Sequence, residues 1–179
     1  MIPLRAANLI QAGKWPPKII IHHTHCLLSK YGQFNYDKPI FQADKFQSLN
    51  YAINKKTETG FNFILDKVNS DYYAVVSQPL LTLCKYPDLE PYYWRAVHIA
   101  FMGDYDENVP QTRLYRVLGY RLLAPIMRLF YLQEDDILFH SEISTDPDCT
   151  CPGKLVEYER LITGLRATFR RRPVARTTS

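Results

Sequence analysis

Apolar and polar positions alternate in ways that mark out most of the secondary structure. Three isoleucines, Ile19 to Ile21, follow Pro16 and Pro17, so the prolines end any preceding helix and a buried strand begins at once. Phe41, Phe46, Leu49 and Ile53 predict an amphipathic helix over residues 41–55. Phe61, Phe63 and Leu65 alternate with Asn62, Ile64 and Asp66, the polar stretch "NSD" follows, and "YYAVV" returns, which predicts a hairpin. Pro79, Pro87 and Pro91 make residues 79–94 an irregular loop, and "RAVHIAFMGDY" is a further strand stopped by Gly103.

From Gln111 to Leu132, Leu114, Leu118, Leu122, Ile126 and Phe130 recur every fourth position while Arg113, Arg116 and Arg128 take the other side. That spacing predicts a long amphipathic helix, kinked by Pro125, which deletes one backbone donor. "DDILFH" is a short strand ending at His140, "SEISTDPDCTCPG" is a loop, and "KLVEYERLITGLRATF" resumes helical spacing. The order predicts an α/β fold, a mixed central β-sheet flanked by helices.

A length of 179 residues with 46% hydrophobic content suits one core. We divide the chain into an N-terminal extension (1–17), one domain (18–168) and a basic C-terminal tail (169–179). The start carries no apolar stretch followed by a small-residue cleavage site, so a cytoplasmic location is expected. The net charge of +4 is concentrated in the tail, where five arginines lie between Arg166 and Arg176 with no acid among them. Such a tail could touch an anionic wall polymer or membrane. No zinc-finger spacing, aromatic RNA-binding signature or internal basic stripe is present, so nucleic acid is not an expected partner, and a monomer is.

The chemistry-bearing residues gather at strand ends. His22, His23 and His25 close the first strand, His140 closes another, and Cys149 and Cys151 lie on the loop that follows it. Imidazole nitrogen and thiolate sulfur are favoured zinc donors, and three protein ligands with a fourth position left for water make a catalytic type of site. Each strand-end histidine taken alone is more often a capped or solvent-facing residue than a ligand. His98, inside an apolar strand, reads as a hydrogen-bonded core residue, and Cys26 and Cys84 as small buried hydrophobes.

The blocks "IIIHHT", "GFNFILD", "AVHIAFMGDYDENVPQTRLYRVLGYRLL", "FHSEI" and "CPG" resemble, in that order, those of the zinc-dependent N-acetylmuramoyl-L-alanine amidases, a family that includes phage lysozyme-type amidases and peptidoglycan recognition proteins. The resemblance spans Lys18 to Leu165. It implies a Zn2+ cofactor held by His22, His140 and Cys151, and hydrolysis of the amide between N-acetylmuramic acid and L-alanine in peptidoglycan or muropeptides. An endolysin would stay in the host cytoplasm until lysis. A non-catalytic peptidoglycan-binding module is the alternative, and a structural zinc site with Cys149 or His23 as fourth ligand is a third.

The chain departs from the family at its helper positions. A tyrosine commonly follows the glycine of the hairpin strand, where this chain has Phe61; lysine or threonine is usual where it has Cys149; and the general base of some branches falls near Ala100. Cys151 follows His140 by eleven residues, a longer gap than is usual. Replacement helpers are sought among Cys149, Thr150, Glu142, His23, Asn62 and Lys154. Phe61, Tyr92, Tyr93 and Trp94 are expected to line the substrate groove, with Tyr31 and Tyr36 as further aromatic faces.

Overall fold

A computed structural model describes residues 18–24, 60–68, 71–80 and 82–169 of the chain. The expected helix over 41–55, the turn at 69–70, and His25, Cys26, Tyr31, Tyr36 and the arginines from Arg170 onward lie outside the described residues.

Five strands form one mixed sheet: β1 (Ile19–His23), β2 (Phe63–Val68), β3 (Asp71–Val76), β4 (Val97–Phe101) and β5 (Ile137–Phe139). Their spatial order is β3-β2-β4-β1-β5, with β2 and β3 antiparallel and the remaining pairs parallel. β1 and β4 sit inside the sheet and are buried at every position. Parallel strands covered on both faces read as continuous apolar runs, which is why "IIIHH" and "VHIAF" show little polar alternation.

The period of two nevertheless separates the faces. Ile19, Ile21, Val97, Ile99, Phe101 and Leu65 point into the main core, under the helices. Ile20 and Ile64 point the other way, into two small clusters with Leu89 and Ala96 and with Phe61, Ala100 and Met102. His22 and His98 belong to this second face by register, since Ile20 pairs with His98 and His22 with Ala100.

The main core is closed by α1 (Thr112–Leu118), α2 (Ala124–Phe130) and α3 (Tyr158–Phe169). The predicted stripe Leu114, Leu118, Leu122, Ile126 and Phe130 is buried throughout. Between α1 and α2 the helix widens into a π turn, Gly119–Leu123, in which the Ala124 N–H donates to the Gly119 carbonyl. The wide turn lies immediately before Pro125, whose missing N–H a regular helix could not accommodate without loss.

Gly119 and Gly164 let this helix and α3 meet backbone to backbone. A Cβ on Gly164 would stand 2.9 Å from the Tyr115 carbonyl oxygen, and one on Gly119 would stand 3.0 Å from the Gly164 carbonyl. The terminal helix begins at Tyr158, later than its spacing predicted. Residues 154–157 are instead held by long-range bonds: the Lys154 N–H donates to Asp106 Oδ1, the Leu155 N–H to the Tyr105 carbonyl and the Glu157 N–H to the Tyr115 hydroxyl. Among the described residues no helix is long and apolar enough to cross a membrane.

Candidate metal centre

Parallel pairing brings the two strand-end histidines together. Ile21 pairs with Phe139, so His22 on β1 and His140 just beyond β5 lie at neighbouring carboxyl ends, where open parallel sheets place their sites. His140 opens a short 3₁₀ turn with Glu142. The loop after it folds back over the strand ends: Ser141 N–H donates to the Cys151 carbonyl at 2.8 Å, and the His23 N–H points at Cys151 Sγ at 3.3 Å. Asp106 anchors the same loop, accepting from the Thr150 hydroxyl at 2.8 Å and the Lys154 N–H at 2.9 Å. Gly153 is required there, because its φ is +113° and a Cβ would stand 2.5 Å from the Tyr105 carbonyl carbon.

The longer loop therefore still delivers its cysteine. One donor atom from each of His22, His140 and Cys151 lies within 4.8 Å of the others. His22 Nδ1 is 3.7 Å from Cys151 Sγ. An imidazole nitrogen and a thiolate sulfur sharing a tetrahedral zinc ion stand about 3.5 Å apart, given bond lengths of about 2.0–2.1 and 2.3 Å. His140 Nε2 is buried without an aligned hydrogen bond, although Asp88 Oδ2 stands 2.9 Å away at ion-pair distance. A buried imidazole in that condition suits a ligand whose orientation is set by an outer carboxylate.

Electrostatics favour neutral rings, the form that binds metal. Burial holds the His22 pKa well below its ordinary value, and the neighbouring His98, His140 and His23 push it the same way. Burial lowers His140 as well, against the opposing pull of Asp88. The donor set, its spacing and its charge state fit a zinc ion.

The other expected site residues are placed as follows. Cys149 Sγ is 3.9 Å from His140 Nδ1, and it groups with His140 and Asp88. Glu142 accepts from the Phe139 N–H and caps the 3₁₀ turn. Asn62 is fully buried, accepts from the His98 N–H at 2.8 Å and donates to the Pro79 carbonyl at 3.0 Å, so it fixes the strand beside the site. His23 faces the opposite side, near Asp104 and Asp106, with its Nδ1 3.4 Å from the Tyr105 N–H.

Phe61 is buried, its ring centroid 5.3 Å from that of His22. Tyr92 is exposed, whereas Tyr93 and Trp94 are partly buried against Ile20, Leu89 and Ala96, and the Trp94 indole donates to the Tyr86 carbonyl. Trp94 thus serves chiefly as packing. Tyr86 and Asp88 were not anticipated. Tyr86 stacks on His22 with centroids 5.0 Å apart, and its hydroxyl donates to the Gly60 carbonyl at 2.7 Å. Their only sequence signal is an aromatic and an acid in a proline-bounded loop.

This sheet and its covering helices are the fold of N-acetylmuramoyl-L-alanine amidases and peptidoglycan recognition proteins, and the chain has that fold. It is similar to the N-acetylmuramoyl-L-alanine amidase LysC of Clostridium intestinale, with a TM-score of 0.61 and 16% identity over 84% of this chain and 85% of that one. Drosophila peptidoglycan recognition protein SD superposes with a TM-score of 0.59 at 17% identity, over 78% of this chain and 76% of that one. The endolysin of a Thermus scotoductus bacteriophage gives 0.53 at 14% identity, over 84% and 85%. The sequence matches no family model and no curated protein.

Proposed function

We propose that the chain is a zinc-dependent amidase that hydrolyses the bond between N-acetylmuramic acid and L-alanine in peptidoglycan or muropeptides. The observation that carries this reading is the meeting of His22, His140 and Cys151 within 4.8 Å, at the carboxyl edge of a sheet with the amidase fold. A zinc ion bound there supplies Lewis-acid polarisation of the scissile carbonyl and brings the pKa of water toward neutrality.

The protein's own part is to hold, orient and exclude. The His23 N–H directed at Cys151 Sγ favours the thiolate, and Asp88 orients His140. Phe61 and Tyr86 wall the histidine side with apolar surface, and exposed Tyr92 offers a sugar-stacking face on the 82–96 side. By the family resemblance Cys149, whose Sγ is 3.9 Å from His140 Nδ1, takes the place of the lysine or threonine that would donate to the developing oxyanion, and a thiol donates weakly. Loss of one oxyanion donor costs about 10²–10³ in rate, so slow turnover is expected.

The second reading, a peptidoglycan-binding module, is favoured by two features: Phe61 lacks a hydroxyl, and the nearby Tyr86 hydroxyl is already committed to Gly60. Zinc-loaded protein incubated with purified peptidoglycan separates them. Newly freed L-alanine amines that disappear with Cys151→Ser support the amidase. Co-sedimentation with peptidoglycan and no amine release supports the binding module and overturns the enzyme.

A further inference from the structure

We propose that His98 is a positioning residue that fixes His22 in the one neutral tautomer whose bare Nδ1 faces the metal centre. The inference rests on the proposed function only for its consequence, since the tautomer itself follows from hydrogen-bond direction. A neutral imidazole has one nitrogen that donates and one that accepts. His98 Nε2 lies 3.0 Å from the Tyr93 carbonyl oxygen, which can only accept, so Nε2 carries the proton and His98 Nδ1 is left with its lone pair. His22 Nε2 lies 2.9 Å from that Nδ1 and must donate to it. His22 Nδ1 is then unprotonated, and it is the atom that looks toward Cys151 Sγ at 3.7 Å.

The reversed chain is excluded by the same distances, because it would set a His98 lone pair against the Tyr93 carbonyl oxygen at 3.0 Å. Both rings are buried, at 1% and 0% exposure, and Tyr86 stacks across the pair, so no solvent is available to repair a wrong direction. The geometry is held from the backbone: β1 and β4 are parallel with Ile20 opposite His98, which makes His98 and His22 diagonal neighbours on one face. Asn62 clamps β4 at this point, accepting from the His98 N–H while its own N–H donates to the His98 carbonyl at 2.9 Å.

Outer partners of this kind are worth about 10–100-fold in metal affinity. The test uses the full chain, metal-free and labelled with ¹⁵N-histidine, with long-range proton–nitrogen correlation to read which nitrogen of His22 is protonated. The proton is expected on Nε2; a proton on Nδ1 overturns the relay. His98→Leu removes the acceptor and is expected to leave His22 as a mixture of tautomers and weaken zinc, measured against a chromophoric chelator, by about 10–100-fold. His98→Asn keeps an acceptor near the Nδ1 position and is expected to restore both readouts. A folded His98→Leu protein with an unchanged tautomer and unchanged zinc affinity overturns the proposal. Should His98→Leu not fold, the wild-type spectrum decides alone. A wild type that shows the Nε2 proton yet binds no zinc overturns the metal function and leaves the relay standing.

Discussion

The two faces of the central sheet are built by the same strands, one residue out of step, and they are held by different kinds of contact. Under the helices, Ile19, Ile21, Val97, Ile99 and Phe101 meet Leu114, Leu118, Leu122 and Leu165 in an all-apolar core, and Gly119 and Gly164 let helix backbones touch. On the other face, His22 and His98 replace the isoleucine pattern with directed hydrogen bonds and stacked rings. Apolar packing is non-directional and tolerant; a buried polar chain costs stability unless every member is satisfied. A period of two thus keeps a stabilising layer and a chemical layer from competing for the same positions.

The largest effect expected from breaking that division falls on the histidine face. Cys151→Ser should abolish measurable amine release and weaken zinc by more than the roughly hundredfold seen when an outer partner is lost, while urea unfolding of the metal-free protein changes little. Gly164→Ala should do the reverse. Its new methyl would press on the Tyr115 carbonyl, costing about 1–3 kcal/mol in urea denaturation, with zinc affinity of the folded protein retained.

Acid should find the same face. Burial lowers the His98 pKa from 6.5 to about 4, so between those values the unfolded chain binds the proton that the folded chain refuses. Stability of the metal-free protein is therefore complete above about pH 6.5 and falls as the pH drops toward 4, by up to about 3 kcal/mol from this group, and His22 adds loss of the same sign. Denaturation midpoints across that range should show the slope, and His98→Asn should flatten it. The smallest effect belongs to the rim: Lys18→Met removes the 2.8 Å pair with Asp136 that ties the start of β1 to the turn before β5, and should cost less than about 1 kcal/mol, fading with added salt.

Much of this was legible in the residues. Three isoleucines after two prolines gave β1, the four-residue recurrence from Leu114 to Phe130 gave the helical cover, and strand-end histidines with two loop cysteines gave a pool of candidates from which the family resemblance singled out the three that converge. Legibility ended where long-range register decides. His98 could be read as a satisfied core histidine, but its partner lies 76 residues away and is set by how β1 slides on β4. Asp88 meets His140 across 52 positions through a loop without periodicity. The π turn was hidden because the apolar stripe continues through it, and residues 154–157 carry helical spacing while the N–H groups of Lys154, Leu155 and Glu157 donate to Asp106, Tyr105 and Tyr115 far away in the chain.

The central claim is that His22, His140 and Cys151 share one ion, and titration of the metal-free protein with cobalt(II) tests it most directly. One equivalent should bind with a sulfur-to-cobalt charge-transfer band that survives Cys149→Ser and vanishes in Cys151→Ser. No binding, or a band that follows Cys149 instead of Cys151, would contradict it.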